Sequence, residues 1–181
     1  YEADAGTGAD EARDVAYRIA QLVERQSPGT SPAGAQRASE EWERLLRKYG
    51  TGQAVDEKAL SRMVEAHFRI GRARDTVRNP IDAQTSYASA VKLGARLPAG
   101  SDGVEPVAHA AFLLAERRLA ELERLRIAGA GSELEQSVKR FNDGVTALVA
   151  EYEKVLAYRR ATWTLAAYYR MGYVFELYAK A

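Results

Sequence analysis

The chain has 181 residues, a near balance of 26 basic against 25 acidic side chains, and no cysteine, which excludes disulfides, thiolate metal sites and a cysteine nucleophile. A formal net charge of +1 gives no electrostatic pull toward nucleic acid or an anionic membrane. Hydrophobic residues at 46% and charged residues at 28%, with Ala, Leu, Arg and Glu abundant, favour helix over strand or disorder, and no stretch reaches the roughly 18 to 20 apolar residues of a membrane span.

Residues 1–9, "YEADAGTGA", read as a flexible lead-in, with Asp10 as the cap of the first helix. The remainder, 10–181, reads as a single helical domain. Because the chain starts at a tyrosine and stops while a helical pattern is still running, it reads as a fragment or processed product that continues beyond 181. Ala12, Val15, Ile19, Leu22 and Val23 fall on one face of the first helix. "RQSPGTSPAG" is a loop. A second helix from about Ala35 presents Trp42, Leu45, Leu46 and Tyr49 before "YGTG" ends it.

Asp56 caps a third helix carrying Ala59, Leu60, Met63, Val64, His67, Phe68 and Ile70 at helical spacing. "RNPID" stops that helix and starts the next: Asn79 caps, Pro80 suits the first helical position and Asp82 completes a capping box. A fifth helix is predicted from Pro106 to Ile127. After "AGAGSELE", with Ser132 and Glu135 as a capping box, comes the most regular pattern: Leu134, Val138, Phe141, Val145, Leu148, Tyr152 and Val155 alternate steps of four and three. These two helices are expected to pack as an antiparallel hairpin. A last helix starts near Thr162, giving about seven helices.

Two segments match: "HFRIGRAR" from His67 and "YYRMGYVF" from Tyr168. Each places a glycine, Gly71 or Gly172, inside a helical pattern, where it costs about 1 kcal/mol relative to alanine. A close helix approach would offset that cost, with Ala83, Tyr87 and Ala90 facing Gly71 from the next helix. The set His67, Ile70, Gly71, Ala83, Tyr87 and Ala90, followed by Tyr168, Met171, Gly172 and Phe175, resembles the tetratricopeptide repeat. His67 stands where that family has tryptophan, Arg74 where it has an aromatic, and Pro98 comes late. The glycines are 101 residues apart, about 50 per hairpin against about 34 in the family. The resemblance implies an all-α fold of antiparallel helical hairpins stacked as a right-handed solenoid, with some helices longer than standard.

The C-terminal run "WTLAAYYRMGYVFELYAKA" is similar to the tetratricopeptide-type adventurous gliding motility proteins of myxobacteria, of the gliding protein T type. That resemblance implies a periplasmic or outer-membrane-associated scaffold that binds other proteins of an envelope complex. In the repeat family the ligand face belongs to the first helix of each hairpin. Carried over from the glycines, the partner-binding candidates are Phe68 and Arg72, flanked by Glu65 and Arg69, and then Tyr169, Tyr173 and Glu176.

Eight of the sixteen aromatic residues fall between Tyr152 and Tyr178, more than one helical stripe can bury. Either further helices cover the surplus or it forms a binding surface. His67 and His109 lie in different helices without metal-ligand spacing, and read as packing or surface histidines. "AGAGSELE" lacks a phosphate-loop lysine, and Glu116, Glu121 and Glu123 sit among basic neighbours on what read as solvated faces. No catalytic constellation, cofactor motif or small-molecule site is expected. A structural spacer that dimerises through an exposed heptad seam is the alternative to a scaffold.

Overall fold

The structure, a computed structural model, describes residues 2–26, 31–50 and 56–181. Among the described residues there are seven α-helices and no strand: α1 (Glu2–Gln26), α2 (Pro32–Tyr49), α3 (Glu57–Thr76), α4 (Pro80–Gly94), α5 (Val104–Leu122), α6 (Ser132–Ala157) and α7 (Ala161–Lys180). The all-α expectation therefore holds. Tyr1 of the lead-in, the centre of the loop after α1, and Gly52 lie outside the described residues.

Local chemistry sets most helix ends. The Ser31 hydroxyl accepts from the Gly34 amide at 3.1 Å, Asp56 accepts from Ala59 at 2.6 Å, and Asn79 accepts from Asp82 at 3.3 Å ahead of Pro80. Several ends differ from the sequence reading: α2 begins at Pro32, inside the predicted loop, and α5 stops at Leu122 and not at Ile127. α1 starts at Glu2, so Asp10 lies inside it and pairs with Arg13 at 3.1 Å. At α6 the capping box does not form: Ser132 is already helical, and Gly131, with φ 55°, occupies the cap position without a side-chain bond. α7 starts at Ala161, one residue before Thr162, and what separates it from α6 is Arg159 at φ 54°. A left-handed arginine leaves no composition signal, unlike proline or glycine. Arg78, at φ 58°, turns α3 into α4 in the same way.

The chain forms two compact units, Tyr1–Val107 and Ala108–Ala181. In the first, Trp42 is fully buried among Ala20, Leu45, Ala66 and Ile70, and the Tyr17 ring meets it edge-on at 5.6 Å. α1 does not use the stripe picked out by size: Val15, Ile19 and Leu22 are 56%, 46% and 52% exposed. Ala16, Tyr17 and Ala20 face the core instead, the two alanines leaving room for the Trp42 indole and the Tyr17 ring packing edge-on against it.

The approach expected at Gly71 is present. A Cβ built there would lie 2.5 Å from Cε1 and 2.6 Å from Cδ1 of Tyr87, whose ring is fully buried. That ring sits 6.1 Å from Phe68, and its hydroxyl donates to Asp75 at 2.7 Å. Ala83 and Ala90, one turn to either side of Tyr87, are also fully buried. Gly172 differs: among the described residues nothing lies within 4 Å of a Cβ built on it.

In the second unit Phe141, Val145, Leu148, Tyr152 and Val155 are buried, so most of the heptad pattern of α6 faces inward. Phe112 meets Tyr152 at ring centroids 5.9 Å apart, and Gly144 lies against Leu122. These pairs advance along α5 as they retreat along α6, which makes the expected antiparallel hairpin.

The two glycines should respond oppositely to a methyl group. Gly71→Ala is expected to cost about 1 to 3 kcal/mol by overpacking a ring that cannot swing away. Gly172→Ala should stabilise by up to about 1 kcal/mol through helix propensity. Urea unfolding of both variants checks this, and equal shifts of the same sign would refute it.

Candidate functional site

Turns hold successive helices together, but α1 and α3 are adjacent without being consecutive, and side chains join them. Asp14 accepts from Lys58 at 3.0 Å and also from Arg62. The Tyr17 hydroxyl donates to Glu65. Arg69 spans Glu65 and Glu24, each at 3.2 Å, and the Trp42 indole nitrogen donates to Glu24 at 3.1 Å. Partners advance together along both helices, so α1 and α3 run parallel. The bonds from Arg62 and Lys58 hold the Asp14 carboxyl well below the usual carboxylate range. Burial, then the bond to Glu65, pushes the Tyr17 phenol well above 10.

Beside this face lies a cleft of about 320 Å³ with Ala35, Ala38 and Ala73 in its wall and Glu24, Arg69 and Arg72 as its charged groups. Glu24 and Arg69 neutralise one another. Arg72 is exposed and its guanidinium has no partner among the described residues.

The second unit repeats the arrangement. Glu116 of α5 accepts from the Tyr152 hydroxyl at 2.6 Å and from Arg170 of α7 at 2.5 Å, and Glu123 accepts from the Tyr173 hydroxyl at 2.8 Å. His109 stacks on Trp163 with centroids 3.8 Å apart. Here too the partners advance together, so α5 and α7 are parallel. Burial, then the Glu116 bond, raises the Tyr152 phenol, and the bond to Glu123 raises Tyr173. The opposite side of α7 is open: Leu165 is 71%, Tyr168 58%, Tyr169 72% and Phe175 55% exposed.

The sequence-derived candidates divide accordingly. Phe68 is 6% exposed and packs on Tyr87, so it belongs to the core and offers no surface to a partner. Glu65, Arg69 and Tyr173 are engaged between parallel helices. Arg72, Tyr169 and Glu176 are exposed, Glu176 lying 3.7 Å from Lys180. Of the repeat-packing residues, Ile70, Gly71, Ala83, Tyr87 and Ala90 are buried and His67 is half-buried, its pKa lowered by burial. Met171 is half-buried, whereas Tyr168, Gly172 and Phe175 are exposed. The sequence reading missed the bridging acids Asp14, Glu24, Glu43 and Glu116. Glu116, read as solvated, is half-buried, and Glu43 takes Arg74 at 2.5 Å. The available signal was Tyr152: a tyrosine on a buried seam needs a partner for its hydroxyl.

Among the described residues no group of three or more His, Asp or Glu side chains could hold a metal ion, and no helix is long and apolar enough to cross a membrane. No protein-family model, curated protein or solved structure matches the chain.

Tyr17 and Tyr152 have raised pKa values in the folded chain, so they stay neutral as pH passes about 10, where unfolded tyrosines ionise. Their stabilisation is present below pH 10 and lost as pH climbs through the folded values. The double variant Tyr17→Phe with Tyr152→Phe should therefore lose about 1 to 3 kcal/mol at pH 8 and show a shallower decline between about pH 9 and 11. Urea midpoints across that range test it; parallel pH profiles for the two proteins would refute it.

Proposed function

We propose that this chain is a protein-interaction scaffold of tetratricopeptide-like helical hairpins, working by recognition in a bacterial cell-envelope assembly such as a gliding motility machine. The observation that carries recognition is the outer row on α7, where Leu165, Tyr168, Tyr169 and Phe175 are each more than half exposed. Clustered exposed aromatics of this size are characteristic of surfaces that bind other proteins. Two features support the repeat reading. Each unit contains two parallel helices flanking an antiparallel one, and Tyr87 is seated on Gly71 as that repeat's pattern requires. The envelope setting rests on the similarity of "WTLAAYYRMGYVFELYAKA" to gliding motility proteins. No catalytic step is assigned, since the acids near arginine and tyrosine serve to join helices.

The alternative is a structural spacer. The seam of α6 is not available for dimerising, being buried from Phe141 to Val155. The exposed Val15, Ile19 and Leu22 of α1 supply a different stripe at heptad-like spacing. Light scattering should show a monomer over a wide concentration range if recognition is the function, and a dimer if the spacer reading is right.

The direct test is photo-cross-linking in a bacterial envelope extract, with a benzophenone side chain placed at Tyr169 or, as a control, at Gln84 on α4. One defined protein is expected from position 169 alone. It should disappear when Leu165 and Phe175 are changed to Ala, with helical content unchanged by circular dichroism. Equal products from both positions, or none, would move the assignment to the spacer.

A further inference from the structure

The helices of the first unit are not all held by the same kind of force. Nine residues of α3 are buried, and α4 docks on it by seating Tyr87 over Gly71 between the buried Ala83 and Ala90, an apolar contact that salt does not screen. Among the described side chains of α1 only Ala20 is buried. One alanine methyl and the half-buried Tyr17 ring beside Trp42 remove little apolar surface from water. Apolar burial therefore contributes far less to the attachment of α1 than to that of α4.

What remains is polar. Asp14 accepts from Lys58 and Arg62, Glu65 from the Tyr17 hydroxyl, and Glu24 from Arg69 and from the Trp42 indole. None of the charged groups in this joint is buried: Asp14, Glu24, Arg62, Glu65 and Arg69 are half-buried and Lys58 is exposed. Pairs that water reaches are weakened as the Debye length falls from about 10 Å at 0.1 M salt to about 3 Å at 1 M. Beneath α1 lie Trp42, Ala66 and Ile70, an apolar surface carried by α2 and α3.

We propose that α1 is an ionic strap, closed on α3 by charged side chains and opened as a unit by rising ionic strength, which bares Trp42, Ala66 and Ile70 while α2, α3 and α4 stay folded. Elements with few buried apolar contacts open at a lower free energy than the whole domain. Here the bonds that remain are ionic, which makes salt the control. The strap depends neither on α7 nor on the aromatic row that α7 carries.

Native-state amide hydrogen exchange of the full chain, compared at about 50 mM and about 0.6 M NaCl at one pH, reads the opening directly. Amides of residues 16–23 in α1 should exchange at least about fivefold faster at the higher salt, against less than about twofold for residues 63–70 of α3. Asp14→Asn with Glu24→Gln removes the two joint acids of α1 at nearly constant shape. That variant should show fast α1 exchange already at low salt and respond little to more. In a Trp163→Phe chain, where Trp42 is the remaining tryptophan, acrylamide quenching should rise with salt in step with the exchange.

Equal salt responses of α1 and α3 would make α1 part of one cooperative core and overturn the proposal. So would α1 exchange that is indifferent to salt, or a salt response undiminished in the neutral variant. Loss of α3 protection in that variant would do the same, because α1 would then be required by the helices it is said to leave folded. Unchanged quenching beside faster α1 exchange would mean that the helix frays without lifting from Trp42, and the strap is withdrawn.

Discussion

Tyr87 packs against a backbone position with no side chain, and the first unit depends on that contact. The ring takes the volume a Cβ on Gly71 would need, so the approach of α3 and α4 depends on the glycine. The hydroxyl is fixed by Asp75, which lies on the same helix as the glycine. The tyrosine is therefore located at both ends by α3, and α4 follows it into place. Interiors packed at crystal density transmit such a constraint to their neighbours: with Tyr87 fixed, Ala83 and Ala90 have a defined depth.

Parallel helices pose a different problem. A turn can hold antiparallel neighbours, but α1 with α3, and α5 with α7, meet only through side chains. In both pairs the solution is a half-buried carboxylate placed between donors. Glu65 receives Tyr17 and Arg69, and Glu116 receives Tyr152 and Arg170. A carboxylate with two donors is better satisfied than one with a single arginine, and leaving it half-solvated avoids the desolvation penalty of a fully buried ion pair. The bonds also fix axial register, which nonspecific apolar contact along a helix would leave free to slide.

How much of this was legible in the sequence depends on how local the cause was. Asp56, Asn79 and Pro80 mark helix starts because their effect acts within one turn. Gly71 with Ala83, Tyr87 and Ala90 was legible because a glycine inside a helix calls for a reason. The inward face of α1 was not, since hydrophobicity ranks Val15 and Ile19 above Ala16 and Ala20, and only the shape of Trp42 on another helix reverses the order. Phe68 was placed on a ligand face by register, yet it supports Tyr87 in the core. Glu116 was read as solvated because its two donors come from helices far along the chain. Among the candidate site residues, the surplus of aromatics left Tyr169 either covered by further helices or on a binding surface, and did not decide between them. Nor did it foretell the engagement of Tyr173 by Glu123.

The three-residue link between α3 and α4, with Arg78 in the left-handed region, has a kinetic consequence. Contacts that are close along the chain lose little entropy on forming, and topologies dominated by them fold fast. The pairing of Gly71 with Tyr87 closes one of the shortest loops that two packed helices can make. This hairpin is thus suited to nucleate its unit, with α1 and α2 condensing onto a surface that already exists. During synthesis the hairpin follows α1 and α2 out of the ribosome, so the amino-terminal pair waits, partly exposed, for the template that completes it.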